Sequence, residues 1–185
     1  MKKGNLIFFV LRLGLTLLLI TSVMAAALAV VNAITAPKIA ALREEKIQKA
    51  IAEVLPGGGS LLDAGSYTDE TGLVTRVFAS DKGYAVEVAP IGFDNAITMM
   101  VGVDKNGTVS GVSIISHTET AGLGAVAAAD SAAGQAFRDQ FIGANGSVAV
   151  SKDGGTIDAL TGATVTSRAI CTGINAALAC VAGMQ

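Results

Sequence analysis

Residues 97–115 read Ile-Thr-Met-Met-Val-Gly-Val, then Asp-Lys-Asn-Gly, then Thr-Val-Ser-Gly-Val-Ser-Ile-Ile. Two strand-like runs, Ile97–Val103 and Thr108–Ile115, flank a turn containing Asn-Gly, which is a strong hairpin signal. Just upstream, Leu73–Ser80 and Tyr84–Pro90 form a second pair of strand candidates split by Asp81-Lys82-Gly83. Helical patterns lie outside these strands. Lys38–Val54 places Ile39, Leu42, Ile47, Ile51 and Val54 near helical spacing, and Pro56–Ser60 (PGGGS) is expected to stop that helix and form a flexible join. Ala125–Phe141 is Ala-rich and predicted helical, Ser147–Ser151 is a short strand candidate, and Thr164–Val181 is a helix with Ile170, Ile174, Ala177, Leu178 and Val181 on one face. Strands grouped in the middle and helices at the edges predict an α+β fold.

The chain has 185 residues, 51% hydrophobic and 15% charged, with mean hydropathy +0.59. An ordinary soluble domain carries about 25% charged residues. This composition excludes an intrinsically disordered chain. Thirteen basic against fifteen acidic residues, no Trp and no basic cluster argue against nucleic-acid binding. The apolar excess is concentrated at the start. Leu13–Ala36 is 24 residues without a charge, which as a helix spans ~36 Å and can cross a ~30 Å hydrocarbon core. Lys2, Lys3 and Arg12 precede the run, so the N-terminus is expected in the cytoplasm and the rest outside, in a single-pass cell-membrane topology. A cleaved signal peptide is the alternative, with Ala25–Ala29 as its cleavage region, but the apolar run continues past that site. A pilin-type helix would need a processing site with a following acidic residue inside the run, and none is present. Pro37 is expected to end or kink the helix. The expected division is 1–36 for a cytoplasmic stub and membrane helix, 37–59 for a juxtamembrane helix and linker, and 60–185 for one compact extracytoplasmic domain.

From Pro37 to Gln185 the chain carries ten basic and all fifteen acidic residues, net −5, and 20 of the 22 glycines. Cys171 and Cys180 fall in the last helix, ~13.5 Å apart along its axis. That separation rules out a bridge within an intact helix and leaves them as small buried apolar residues. Two lone cysteines make no metal site.

Two segments could carry chemistry. Asp158-Ala-Leu-Thr161-Gly162-Ala163-Thr164-Val-Thr166-Ser167 sets hydroxyls and a glycine at the mouth of the last helix. Free N–H groups and the positive dipole end suit a phosphate there. Ordinary N-capping by Thr161, Thr164 or Thr166 would use the same residues. In the second segment, Ser116-His117-Thr118-Glu119-Thr120-Ala121-Gly122-Leu123-Gly124 follows a predicted strand. Its glycines allow close backbone approach to a flat ring, Leu123 offers an apolar face, and Glu119 and Thr120 offer hydrogen bonds. Taken alone, a plain turn into the Ala-rich helix, with Glu119 near its start, accounts for it better. His117, the sole histidine, has no paired nucleophile and reads as a loop residue.

Asp158, Thr161, Gly162, Ala163 and Thr164 match every fixed position of D-x-x-[ST]-G-A-T, the flavinylation motif of the FMN-binding domain family. The 117–124 loop is similar to the H-x-E-T-P-G-L-G loop of the Rnf G and Nqr C electron-transport subunits, with Ala121 in place of the usual Pro. The resemblance spans nearly the whole chain, and the length favours Rnf G over Nqr C. It implies FMN esterified through its phosphate to Thr164 by a flavin transferase that recognises Asp158, Thr161, Gly162 and Ala163. Glu119, Thr120, Gly122, Leu123, Thr161, Gly162 and Ala163 are the cofactor-binding residues it implies. The implied function is an electron-carrying subunit of a redox-driven, Na⁺- or H⁺-translocating ferredoxin:NAD oxidoreductase, with membrane subunits A, D and E as partners and B and C in the same assembly. The alternatives are an Nqr C-like subunit, an FMN domain of an extracytoplasmic reductase, and a cofactor-free membrane-anchored assembly module. No Rossmann fingerprint and no Cys cluster occur, so NAD and iron–sulfur sites are expected on other chains.

Overall fold

The computed structural model describes residues 3–63 and 65–184; Lys2 and the side chain of Lys3, both in the basic flank read from sequence, lie outside the described residues. The chain divides into two units, Met1–Glu45 and Lys46–Gln185. The first consists of most of α1 (Lys3–Val54), a helix that contains Pro37 rather than ending there. Proline removes one backbone hydrogen bond, the one the Ala33 carbonyl would accept, and the helix continues through that single loss. Residues 8–45 are exposed, including a long series of large apolar side chains from Phe8 to Leu42. Their length and composition suffice to cross a membrane. Helix α3 (Thr164–Ala182) is also long and apolar enough, but it is largely buried within the second unit and is a core helix.

The second unit is built on a five-stranded antiparallel meander, ordered β1-β2-β3-β4-β5. The strands are β1 (Ser60–Leu61), β2 (Val74–Ser80), β3 (Gly83–Val88), β4 (Thr98–Asp104) and β5 (Val109–Ser116). The four longer ones fall where the strand-like runs predict them. β1 was not expected: Ser60, read as part of a flexible join, pairs with Ala79. The Asp104 side chain closes the β4–β5 turn by accepting from the N–H of Asn106 at 2.8 Å and of Thr108 at 2.9 Å.

Both faces of the sheet are covered. Val86, Val88, Met99, Val101 and Val103 join Ile170, Ile174 and Val181 of α3 in one apolar cluster. Ala85, Met100 and Ile115 join Ile47, Ile51 and Val54, the last turns of α1, in a second. Adjacent β4 residues point to opposite faces, so Met99 and Met100 serve different cores. The Ser110 hydroxyl donates to the Val54 carbonyl at 2.8 Å and satisfies one of the acceptors at the end of α1.

Two elements differ from the sequence expectation. The Ala125–Phe141 stretch is not one helix. A 3-10 turn at Gly124–Ala128 is followed by an extended Ala129 and then by α2 (Ala132–Asp139). Ser131 caps α2 by accepting from the Gly134 N–H at 3.2 Å, and starting a new helix there breaks the run. Arg138 donates to the carbonyls of Ala127 and Ala129, at 2.7 and 3.1 Å, and satisfies the acceptors left at the break. The Ser147–Ser151 strand is also absent: Val150 makes a single parallel bridge to Ile157, and Ser151–Asp153 is a 3-10 turn. Asn175, in the middle of α3, occupies both backbone groups of Val148, at 2.8 and 2.9 Å. A side-chain amide thus replaces the strand partner. Cys171 and Cys180 are free and buried, as expected.

Candidate functional site

Two similar turns meet beside the start of α3. In the first, the Thr120 carbonyl accepts from the Leu123 N–H at 3.1 Å, with Gly122 third at φ +76°. In the second, the Leu160 carbonyl accepts from the Ala163 N–H at 2.9 Å, with Gly162 third at φ +74°. A positive φ at the third place is what a type II turn requires, and glycine adopts it freely. A Cβ on Gly162 would also meet Leu123 Cδ2 at 3.0 Å, so the two turns approach closely. The second place of the first turn holds Ala121, a position where proline is common, and the turn forms without it.

None of Thr161, Thr164 or Thr166 caps α3. The N-cap position is Ala163, with no side-chain cap. The first intrahelical bond runs from the Ser167 N–H to the Ala163 carbonyl at 3.0 Å. The N–H groups of Thr164, Val165 and Thr166 therefore precede any intrahelical acceptor, which leaves an anion-seeking helix mouth. Ser167 ties the turn to the helix, accepting from the Leu160 N–H and donating to the Ala163 carbonyl, both at 3.0 Å.

A cavity of about 300 Å³ opens at this mouth. Thr120, Leu123, Gly162, Ala163 and Thr164 line it, five of the residues singled out from sequence. Gly124, Val165 and Thr166 extend the same walls. Phe93, from the β3–β4 connection, and Lys152, from the 3-10 turn, were not anticipated, because no motif or periodicity marks either one. Lys152 Nζ donates to Thr164 Oγ1 at 3.4 Å. Its turn is fixed to α3 by a two-pronged ion pair, Arg168 Nε and Nη2 each 2.6 Å from an oxygen of Asp153. Hydrogen bonding to the guanidinium holds the Asp153 carboxyl below its usual range.

The remaining sequence-derived residues lie around the cavity rather than in its lining. Asp158 and Thr161 are exposed. The backbone of Asp158 is held by the Gln140 side chain, its N–H donating to Oε1 at 2.7 Å. Glu119 is buried behind the wall, and His117 Nδ1 accepts from the Glu119 N–H at 3.2 Å, a loop-shaping role.

The cavity fits a flat ring carrying a phosphate. The side chains of Phe93, Leu123 and Val165 supply apolar surface, while the helix mouth and Lys152 supply N–H donors and a positive charge. The family model described as "FMN-binding domain" matches residues 92–179, the stretch that contains the whole cavity lining. A second model, "RnfG N-terminal region", matches residues 1–54. The chain is 30% identical to the G subunit of the Na(+)-translocating ferredoxin:NAD(+) oxidoreductase complex of Acetobacterium woodii, over 90% of this chain and 88% of the relative. It is 33% identical to the G subunit of the ion-translocating oxidoreductase complex of Pseudomonas aeruginosa, over 91% and 86%. It is 36% identical to the G subunit of the proton-translocating ferredoxin:NAD(+) oxidoreductase complex of Clostridium ljungdahlii, over 82% and 80%. The chain belongs to the family of G subunits of ion-translocating oxidoreductase complexes.

Proposed function

We propose that this chain is the FMN-bearing electron-transfer subunit of a membrane-bound ferredoxin:NAD oxidoreductase coupled to ion translocation. FMN, when bound, supplies the one- and two-electron redox chemistry. The chain supplies placement, and no residue acts as a catalytic acid or base. The observation that carries this reading is Thr164: of the three hydroxyls at the helix mouth, it is the one presented to the cavity beside a lysine. Thr166 also lines the cavity, but its hydroxyl donates to buried Glu119. Thr161 is exposed and does not line the cavity.

The link is covalent. A flavin transferase brings FAD. Thr164 Oγ would be the attachment atom, esterified to the FMN phosphate as the transferase releases AMP and takes up the hydroxyl proton. Lys152 and the N–H groups at the helix mouth hold the charge remaining on the phosphate. Asp158 and Thr161, exposed beside the attachment point, serve recognition by the transferase, together with Gly162 and Ala163. Thr120, Gly122 and Leu123 shape the ring side of the site. An ester is useful outside the cytoplasmic membrane, where lost FMN could not be replaced. The N-terminal helix is the single-pass anchor, N-terminus inside, and it joins the chain to membrane subunits A, D and E, with B and C in the same assembly.

The test is to co-express the chain with an active flavin transferase and denature it. Flavin absorbance that stays with the unfolded chain is the expected result. Colourless protein of unmodified mass would favour the cofactor-free assembly module instead. Co-purification with multispan membrane subunits separates a complex subunit from a free-standing reductase domain.

A further inference from the structure

Glu119 is placed unlike a cofactor ligand. It is 7% exposed and does not line the cavity, yet it hydrogen-bonds two residues that do, Phe93 and Thr166. Oε1 accepts from the Phe93 N–H at 2.8 Å and lies 3.5 Å from the Asp94 nitrogen. Oε2 accepts from the Thr166 hydroxyl in the first turn of α3. The fit is close on both sides: a Cβ added to Gly92 would collide with Oε1, and one added to Gly124 would collide with Oε2 and the Thr166 hydroxyl. One side chain therefore joins the 117–124 loop, the β3–β4 connection and the start of α3. Phe93, 69% exposed, belongs to a connection otherwise closed by the Ile91–Ala96 bridge. The Asn95 side chain adds a peripheral link, donating to Thr118 Oγ1 at 3.2 Å.

We propose that Glu119 is a positioning residue, a buried two-armed clamp that sets Phe93 and the first turn of α3 as two walls of the flavin cavity without itself touching the flavin. This rests on the reading of the cavity as the FMN site. A clamp needs acceptors at the right reach and does not need a charge. Glu119→Gln keeps an acceptor for the Phe93 N–H, and its amide can donate to the Thr166 oxygen. Glu119→Asp keeps the charge but loses a methylene, so it cannot span both partners. Glu119→Ala leaves both donors unpaired.

The experiment compares Glu119→Gln, Glu119→Asp and Glu119→Ala in the full chain, co-expressed with the transferase and purified in its complex. Two readouts are followed: visible-region circular dichroism of the bound flavin, and hydrogen exchange of the peptide containing Phe93. The expected order is Glu119→Gln close to wild type, with Glu119→Asp and Glu119→Ala losing the flavin band and exchanging faster at Phe93 by about tenfold or more. A wild-type-like Glu119→Asp with an impaired Glu119→Gln would overturn the clamp in favour of a role for the charge. Wild-type behaviour in all three would overturn it as well. Should Glu119→Ala fail to fold, the comparison of the other two variants decides the matter alone. If the wild-type chain carries no FMN, the reading of the function fails, while exchange at Phe93 still tests the clamp.

Discussion

At the scale of single residues, Thr164 and Cys171 give opposite expectations for modification. Thr164 is half-buried at the cavity, and its hydroxyl does not cap α3. Thr164→Ala should therefore abolish covalent FMN while changing unfolding free energy by less than about 0.5 kcal/mol, the range of substitutions away from structural features. Thr164→Ser keeps a hydroxyl and should retain part of the loading; both are read by flavin fluorescence of the denatured chain alongside thermal unfolding. Cys171 is buried, and burial pushes its thiol up to about 11. It should resist alkylation at pH 8 in the native state and react once unfolded. The unfolded thiol releases its proton at lower pH than the folded one. Cys171 therefore contributes stability that is intact below the unfolded value and is lost as pH rises from about 9 toward 11. Unfolding by denaturant across that range should show a decline that is weakened in Cys171→Ala. The hydroxyl-and-glycine pattern at 158–167 was legible in sequence because it is local. Phe93 and Lys152 were not, since each reaches the cavity from a connection whose course depends on the whole sheet.

At the scale of elements, the sheet was the easier part to read. Strand-like runs split by turn residues marked β2 to β5 within a residue or two at each end, and Asp104-Lys105-Asn106-Gly107 formed the turn it signals. The Ala-rich stretch misled because helix propensity is a weak prior against tertiary contacts. Gly134 shows which effect wins. A Cβ there would run into the carbonyl oxygens of Val126 and Ala129, so α2 packs on the preceding turn through a missing side chain. Propensity alone makes Gly→Ala in a helix favourable by about 1 kcal/mol. Gly134→Ala should instead destabilise the protein by about 1–3 kcal/mol, as overpacking does. Thermal unfolding of the variant checks the sign, and an increase in stability would show that the turn yields easily. Asn175 gives the same lesson for Ser147–Ser151, where the backbone groups of Val148 are satisfied by a side chain that no strand pattern would reveal.

At the scale of the molecule, composition separates an uncharged run ending at Ala36 from a glycine-rich remainder, whereas the two units of the structure divide between Glu45 and Lys46. The end of α1 belongs to the second unit, where Ile47, Ile51 and Val54 cover one face of the sheet. The charged stretch after Pro37 is thus more than a spacer, although helical spacing alone could not say which face its apolar residues would cover. Removing residues 1–36 leaves this packing intact. The truncated chain should fold, stay soluble without detergent and no longer co-purify with the membrane subunits; normal assembly would reduce the helix to a tether. Small residues in the run, among them Gly14, Thr16, Thr21 and Ser22, allow close helix contacts in a bilayer.

The central claim is that FMN is held by an ester at one particular hydroxyl of the helix mouth. The most direct measurement is a peptide map, by fragmentation mass spectrometry, of the full chain co-expressed with an active flavin transferase. The expected result is the mass of an FMN phosphoester on the peptide spanning 158–167, with fragment ions placing it on Thr164 and none on the same peptide from Thr164→Ala. An increment on Thr161 or Thr166, or no increment anywhere despite the active transferase, would contradict it.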